Sequence, residues 1–232
     1  MKILPTRTGL RFSAHGVVIS ELCTRPGPTH SVFDVLAALI AVLRPAGRVG
    51  VLGFAGGGMM APLHALGVKA RLHCVDLDRA CYEIFRQHCP EWAEGIRWTH
   101  ADALAWLRRQ RTPFDLILED LTIAHDGDVV KPGVTWSALP DLIPQRLVPG
   151  SGVAVCNLLL PPSGRWQPGL GDLAARFRTV RVVNFDDFEN RILIGGEALP
   201  SARQLSVQLR GALGRIRSRQ ARRIRVERLG GC

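Results

Sequence analysis

A turn of small residues, Gly53, Ala55, Gly56, Gly57 and Gly58 around Phe54, is followed about twenty residues later by Asp76. Small residues let a backbone approach a ligand closely, and a helix starting just beyond them presents free N–H groups. A carboxylate placed like Asp76 can accept both hydrogen bonds of a ribose diol. Asp102 follows the next expected strand and opens a helix, and the three features together point to a site for an adenosine. Asp120 closes the apolar run Phe114–Glu119, where a carboxylate can orient or deprotonate an amine or hydroxyl nucleophile. Each feature also has a plainer reading. The glycines could serve only a tight strand-to-helix turn, and Asp120 could be a turn or capping acid. His125, Asp126 and Asp128 lie in a polar loop that could line an acceptor pocket or simply face solvent.

The elements that would position these residues alternate between strand and helix. Arg11 to Leu22 suggests a small hairpin. A helix capped by Thr29 or Ser31 carries Val32, Val35, Leu36, Leu39, Ile40 and Leu43 at helical spacing. Strands are expected at 48–54, 70–77, 95–100, 114–119 and 152–160, with helices at 59–66, 78–89, 103–109, 136–145 and 170–177 between or after them. The runs 179–185 and 191–195 read as a closing antiparallel pair. Strands apolar on both faces and separated by helices predict a parallel sheet covered on both sides. Ligands bind such sheets at the carboxyl ends of the strands, where Asp76, Asp102 and Asp120 fall.

Composition limits the remaining choices. The chain has 232 residues, 47% hydrophobic and 22% charged, which suits one globular domain with a real core. No uninterrupted apolar run is long enough to span a bilayer, and the first residues lack a secretory apolar stretch, so a cytoplasmic location without membrane contact is expected. The six cysteines show no metal-ligand spacing, so no metal is expected. The net charge is +10, and nine arginines against the single acid Glu227 after Ser201 place +8 of it in the last 32 residues. That segment has no aromatic residue to stack bases, and Leu205, Leu209, Leu213 and Ile216 form a helical stripe. A docked helix with exposed arginines is therefore expected rather than a nucleic-acid partner. The organisation reads as an extension over 1–28, a nucleotide-binding body over 29–200 and a basic tail over 201–232.

From 29 to 195 the chain resembles the spermidine synthase-like (polyamine aminopropyltransferase) branch of the class I S-adenosylmethionine-dependent methyltransferases. The resemblance rests on Val51-Leu52-Gly53-Phe54-Ala55-Gly56-Gly57-Gly58, Val75-Asp76-Leu77-Asp78, Ala101-Asp102-Ala103 and Phe114-Asp115-Leu116-Ile117-Leu118-Glu119-Asp120. It continues through Val153-Ala154-Val155-Cys156-Asn157-Leu158 and Asn190-Arg191-Ile192-Leu193-Ile194. It implies an α/β, Rossmann-like class I methyltransferase fold. Its seven-stranded, mostly parallel sheet would run in the order 3-2-1-4-5-7-6, with helices on both faces and an antiparallel last strand. By the same resemblance the glycine turn with Asp76, Leu77, Asp102 and Ala103 holds S-adenosylmethionine or its decarboxylated form. Asp76 would take the ribose, Asp102 the adenine amine and Asp120 the acceptor amine. The helix containing His30 would approach the cofactor's amino-acid end, and a homodimer is implied.

The departures from that family are specific. Gly58 stands where spermidine synthases carry an acid that meets the cofactor's amine-bearing tail. Ile123 replaces their second acceptor acid, and Gly53 replaces the acid many methyltransferases carry at the first strand's end. The N-terminal strand region is cut to about 28 residues. These departures favour methyl transfer from intact S-adenosylmethionine to a small-molecule acceptor. Aminopropyl transfer to an unusual amine and a non-catalytic nucleoside-binding role are the alternatives.

Overall fold

The computed structural model describes residues 2–14, 17–125, 127–161 and 163–229. Asp126, Pro162 and Cys232 lie outside them. The chain opens with β1 (Lys2–Pro5), β2 (Gly9–Ala14) and β3 (Val17–Cys23), an antiparallel three-stranded sheet where the sequence suggested one hairpin. Helix α1 (Val32–Leu43) begins at Ser31, whose side chain accepts the Phe33 N–H and so satisfies one of the open donors of the first turn. Its residues 35–40 are fully buried, which makes it a core helix.

The alternation then runs through β4 (Arg48–Leu52), α2 (Met60–Ala65), β5 (Arg71–Asp76), α3 (Arg79–His88), α4 (Pro90–Glu94), β6 (Ile96–His100), α5 (Ala103–Arg109) and β7 (Leu116–Glu119). A short hairpin, β8 (Ile123–His125) with β9 (Asp128–Val130), follows. The helix expected over 136–145 is split into α6 (Gly133–Trp136) and α7 (Leu139–Gln145), with Pro140 accommodated in the first turn of α7. Next come β10 (Val153–Leu158), α8 (Gly169–Ala174), β11 (Thr179–Phe185), β12 (Arg191–Gly196), α9 (Ala202–Arg215) and β13 (Ile224–Arg228).

The main sheet has the order β6-β5-β4-β7-β10-β12-β11-β13. Its first seven members follow the expected 3-2-1-4-5-7-6 order, with β6, β5, β4, β7 and β10 parallel and β12 running antiparallel between β10 and β11. The eighth strand was not expected. β13 pairs antiparallel with β11 and comes from the arginine-rich tail, where Ile224 and Val226 alternate with charged residues. Their small apolar signal was hidden under the charge. The tail's helical stripe did form, and α9 buries Leu205, Leu209, Ala212 and Leu213.

Two apolar layers enclose the sheet. One joins α1, α3 and α9 to the sheet through residues such as Leu36, Phe85, Val51 and Leu209. The other joins α5, α7 and α8 through Leu107, Ile143, Leu170 and Ile117. No helix among the described residues is long and apolar enough to cross a membrane.

Candidate functional site

The strand order reverses between β4 and β7, and the two strand ends meet there. Asp120 N–H bonds to the Leu52 carbonyl at 2.8 Å, and Gly53 N–H bonds to that of Val75 at 3.0 Å. Gly53 adopts φ +87°, and a Cβ there would lie 2.6 Å from the Asp120 carbonyl oxygen. No side chain fits, which explains why this position carries no acid.

The rest of the turn packs against aromatic rings. A Cβ on Gly58 would come within 2.6 Å of the Phe33 ring, and one on Gly56 within 2.5 Å of the Phe12 ring. Phe54, beside them, is buried against Phe85 and Tyr82 in edge contacts. Gly57 has φ +75° and Ala55 has φ +45°, a left-handed conformation that a residue with a Cβ adopts at some cost. The strain at Ala55 is offset locally. One carboxylate oxygen of Asp76 accepts the N–H groups of Phe54 and Ala55, each at 2.7 Å, and the other accepts Asp78 N–H at 2.8 Å. Asp76 therefore shapes the turn. Of the roughly four lone-pair sites of a carboxylate, three are used, leaving one for a ligand hydroxyl in this conformation.

Leu77 follows, 68% exposed, an apolar surface at the open end of β5. Asp102 is exposed and caps α5, one oxygen accepting Ala105 N–H at 2.8 Å, while Ala103 beside it is buried. Tyr82 stacks on Trp98 with centroids 4.1 Å apart, and His100 lies parallel to Trp98 and within 3.1 Å of the Leu77 carbonyl. The acids and Leu77 thus sit along one edge of the sheet.

His30 lies outside the expected helix, one residue before its cap, with φ +60°. Its N–H donates to Asp34 Oδ2 at 2.9 Å, and fully buried Asp34 also accepts Thr29 N–H and Oγ1 at 2.7 Å each. The ring Nδ1 accepts Arg219 N–H at 3.3 Å, and the carbonyl accepts from Gln220 at 3.2 Å. The tail therefore reaches back to the segment before α1.

Asp120 is the end of a polar chain. Asn157 Nδ2 donates to its Oδ1 at 2.7 Å, and Asn190 Nδ2 donates to Asn157 Oδ1 at 3.0 Å. Next to it, Glu119 is buried with Lys131 at 2.8 Å, their side chains 1% and 2% exposed. Thr135 Oγ1 and Leu121 N–H also donate to the same Glu119 oxygen. Burial pushes the Asp120 carboxyl up to about 6, and the charges of Glu119 and Asp76 add to this. The Lys131 ammonium and the Asn157 hydrogen bond act in the opposite sense.

Sequence reading missed Lys131, Asn190 and Gln220 as partners. Lys131 follows the apolar pair Val129-Val130 and shows no spacing relation to Glu119, so only the fold joins them. Ile123 is half exposed in β8, and His125 faces Asp128 across the same hairpin.

No protein-family model matches this sequence, and no curated protein sequence matches it. Its structure is similar to that of a probable spermidine synthase from Corynebacterium glutamicum, with TM-score 0.73 over 98% of this chain and 86% of that one, at 18% identity. It is similar to human methyltransferase-like protein 13 in complex with SAH, with TM-score 0.62 over 79% of this chain and 90% of that one, at 20% identity. A spermidine synthase in complex with the transition-state analogue AdoDATO gives TM-score 0.61 over 84% of this chain and 68% of that one, at 15% identity. The chain has the Rossmann-like fold that these methyltransferases and spermidine synthases share.

Proposed function

We propose that this protein is an S-adenosylmethionine-dependent transferase that moves a methyl group to a small-molecule acceptor, with Asp120 as the base. The observation that carries the reading is Asp120 itself. It sits at the carboxyl end of β7, beside the glycine turn, with its proton affinity raised to about 6 and its orientation fixed by Asn157. A carboxyl tuned to that range can accept a proton near neutral pH.

The cradle fits an S-adenosyl group by its own features. Leu77 offers an exposed apolar face beside Asp76, Asp76 keeps one lone-pair site, and Asp102 has an oxygen outside its capping bond. The turn from Gly53 to Gly58, Asp76, Leu77, Asp102 and Ala103 would hold the nucleoside, and the His30 segment its amino-acid end. When bound, such a cofactor supplies a carbon on a positively charged sulfur, which leaves with the bond's electron pair as the acceptor attacks. Asp120 orients the acceptor and takes the proton it loses.

Aminopropyl transfer from the decarboxylated cofactor is less well supported. The Phe33 ring fills the space that a side chain at position 58 would need, so no carboxylate stands there to receive the amine-bearing tail of the decarboxylated cofactor.

Thermal-shift titration with S-adenosylmethionine, its decarboxylated form and methylthioadenosine tests the reading. Stabilisation by intact S-adenosylmethionine exceeding that by the decarboxylated form is expected. The reverse order would replace methyl by aminopropyl transfer, and no shift with any of the three would remove the transferase reading.

A further inference from the structure

A cavity of about 460 Å³ opens beside the polar chain that ends on Asp120. Its walls come from the segment after β10, the β11–β12 turn and the unexpected strand β13. Asn190 lines it, and through Asn157 this wall is hydrogen-bonded to Asp120. The volume lies in the range of small-molecule sites, about 300–1,000 Å³.

The charges in this cavity follow from strand register. Asn184 of β11 lies opposite Arg191 of β12 on one side and Arg225 of β13 on the other. Directly opposed residues share a face, so arginine, asparagine and arginine form one row across three strands. The Arg191 guanidinium lies 4.6 Å above the Trp166 ring and has no carboxylate partner among the described residues. Stacking holds it flat and leaves its N–H edge available to a planar anion. Arg225 pairs with Asp186 at the surface, both largely exposed, and such pairs exchange partners at little cost. Two carboxylates also line the cavity. Glu227 accepts from Asn184 at 3.1 Å, and Glu189 is exposed. Against the three lining arginines, Arg191, Arg225 and Arg228, they leave one positive charge, which suits a ligand with one negative charge. Trp166 and Phe188 supply the apolar surface.

We propose that this cavity is the acceptor site, and that the acceptor is a small ring compound with one carboxylate. The carboxylate is held by Arg191 and Arg225, the ring rests by Trp166 and Phe188, and the end to be modified points past Asn190 towards Asp120. This rests on the transferase reading for its role, though not for the binding itself. β13 gives the site a wall that the expected seven-stranded sheet does not have.

Isothermal titration calorimetry on the full chain, without cofactor, tests the proposal. The probes are 4-hydroxybenzoate, its uncharged counterpart 4-hydroxybenzyl alcohol, and putrescine. 4-Hydroxybenzoate should bind, at least about tenfold more tightly than the alcohol, a difference of roughly 1.4 kcal/mol. Arg191→Gln should weaken it by about tenfold or more and leave S-adenosylhomocysteine binding unchanged, which also checks that the variant is folded. If that variant does not fold, Arg225→Gln at the exposed end of the row should weaken the acid in the same direction. The proposal is overturned if the acid does not bind, if putrescine binds more tightly, or if the folded variants bind the acid like the parent. Acid binding without S-adenosylhomocysteine binding would keep the anion site and remove the transferase reading. S-adenosylhomocysteine binding without acid binding would do the reverse.

Discussion

Asn157 holds Asp120 through a 2.7 Å hydrogen bond from its amide nitrogen, and its own carbonyl is in turn fixed by Asn190. The carboxylate is thus aimed by an oriented amide. The bond favours the charged form of an acid that burial pushes the other way.

The first prediction concerns that balance. Asn157→Leu removes the bond that stabilises the charged form, so the Asp120 carboxyl should move above about 6. The acid limb of the kcat/KM profile should shift to higher pH by roughly one unit, measured with S-adenosylmethionine and any accepted substrate. An unmoved limb would detach Asp120 from the rate.

Asp120→Asn separates function from stability. The folded value of about 6 lies above the unfolded carboxyl value, so the contribution of this group to stability is full below about pH 4 and is lost as pH rises through 6. The variant should therefore be more stable than the parent at pH 8, by on the order of 1–2 kcal/mol, with the gain vanishing near pH 4. Its transfer rate should fall by about 10²-fold or more. Thermal melts across pH, beside rates, check both halves.

The Glu119–Lys131 pair should behave as a buried ion pair. Lys131→Met leaves Glu119 charged and enclosed, and should cost about 3–5 kcal/mol in urea unfolding. Glu119→Gln added to it should recover a large part, because the glutamine carbonyl can still accept from Thr135 and Leu121. Additive losses in the double variant would mean that the two side chains do not interact.

An acid introduced at position 58 of the glycine turn should not be accommodated without loss of stability. Gly58→Asp puts a Cβ within 2.6 Å of the Phe33 ring, and overpacking of this kind costs about 1–3 kcal/mol. Phe33→Ala alongside it should return part of the melting temperature. A Gly58→Asp protein as stable as the parent would show that the ring moves aside freely.

The strand-end acids were readable because each closes or closely follows a run that itself predicts a strand. Asp76, Asp102 and Asp120 fall at or just beyond such ends, and the order of the first seven main-sheet strands is as the resemblance implied. Other relations were hidden because they depend on register and on distant contacts. Nothing in the sequence tells that Asp76 would be used by the turn's own N–H groups, that Lys131 would reach Glu119, or that His30 would face Arg219. β13 was hidden for a different reason. Its two apolar residues lie among arginines, so the segment read as a docked helix followed by a basic tail and not as a strand.

That strand changes what the basic tail is for. A sheet's outermost strand has unpaired backbone groups along its free side, and these recruit other chains into aggregates. β13 has Arg225, Glu227 and Arg228 exposed along its five residues, and it is short. Positive charge at such a border keeps copies of the molecule apart, with repulsion that weakens as salt rises. Arginines in this position are expected to act as colloidal protection, and neutralising them should first appear as turbidity.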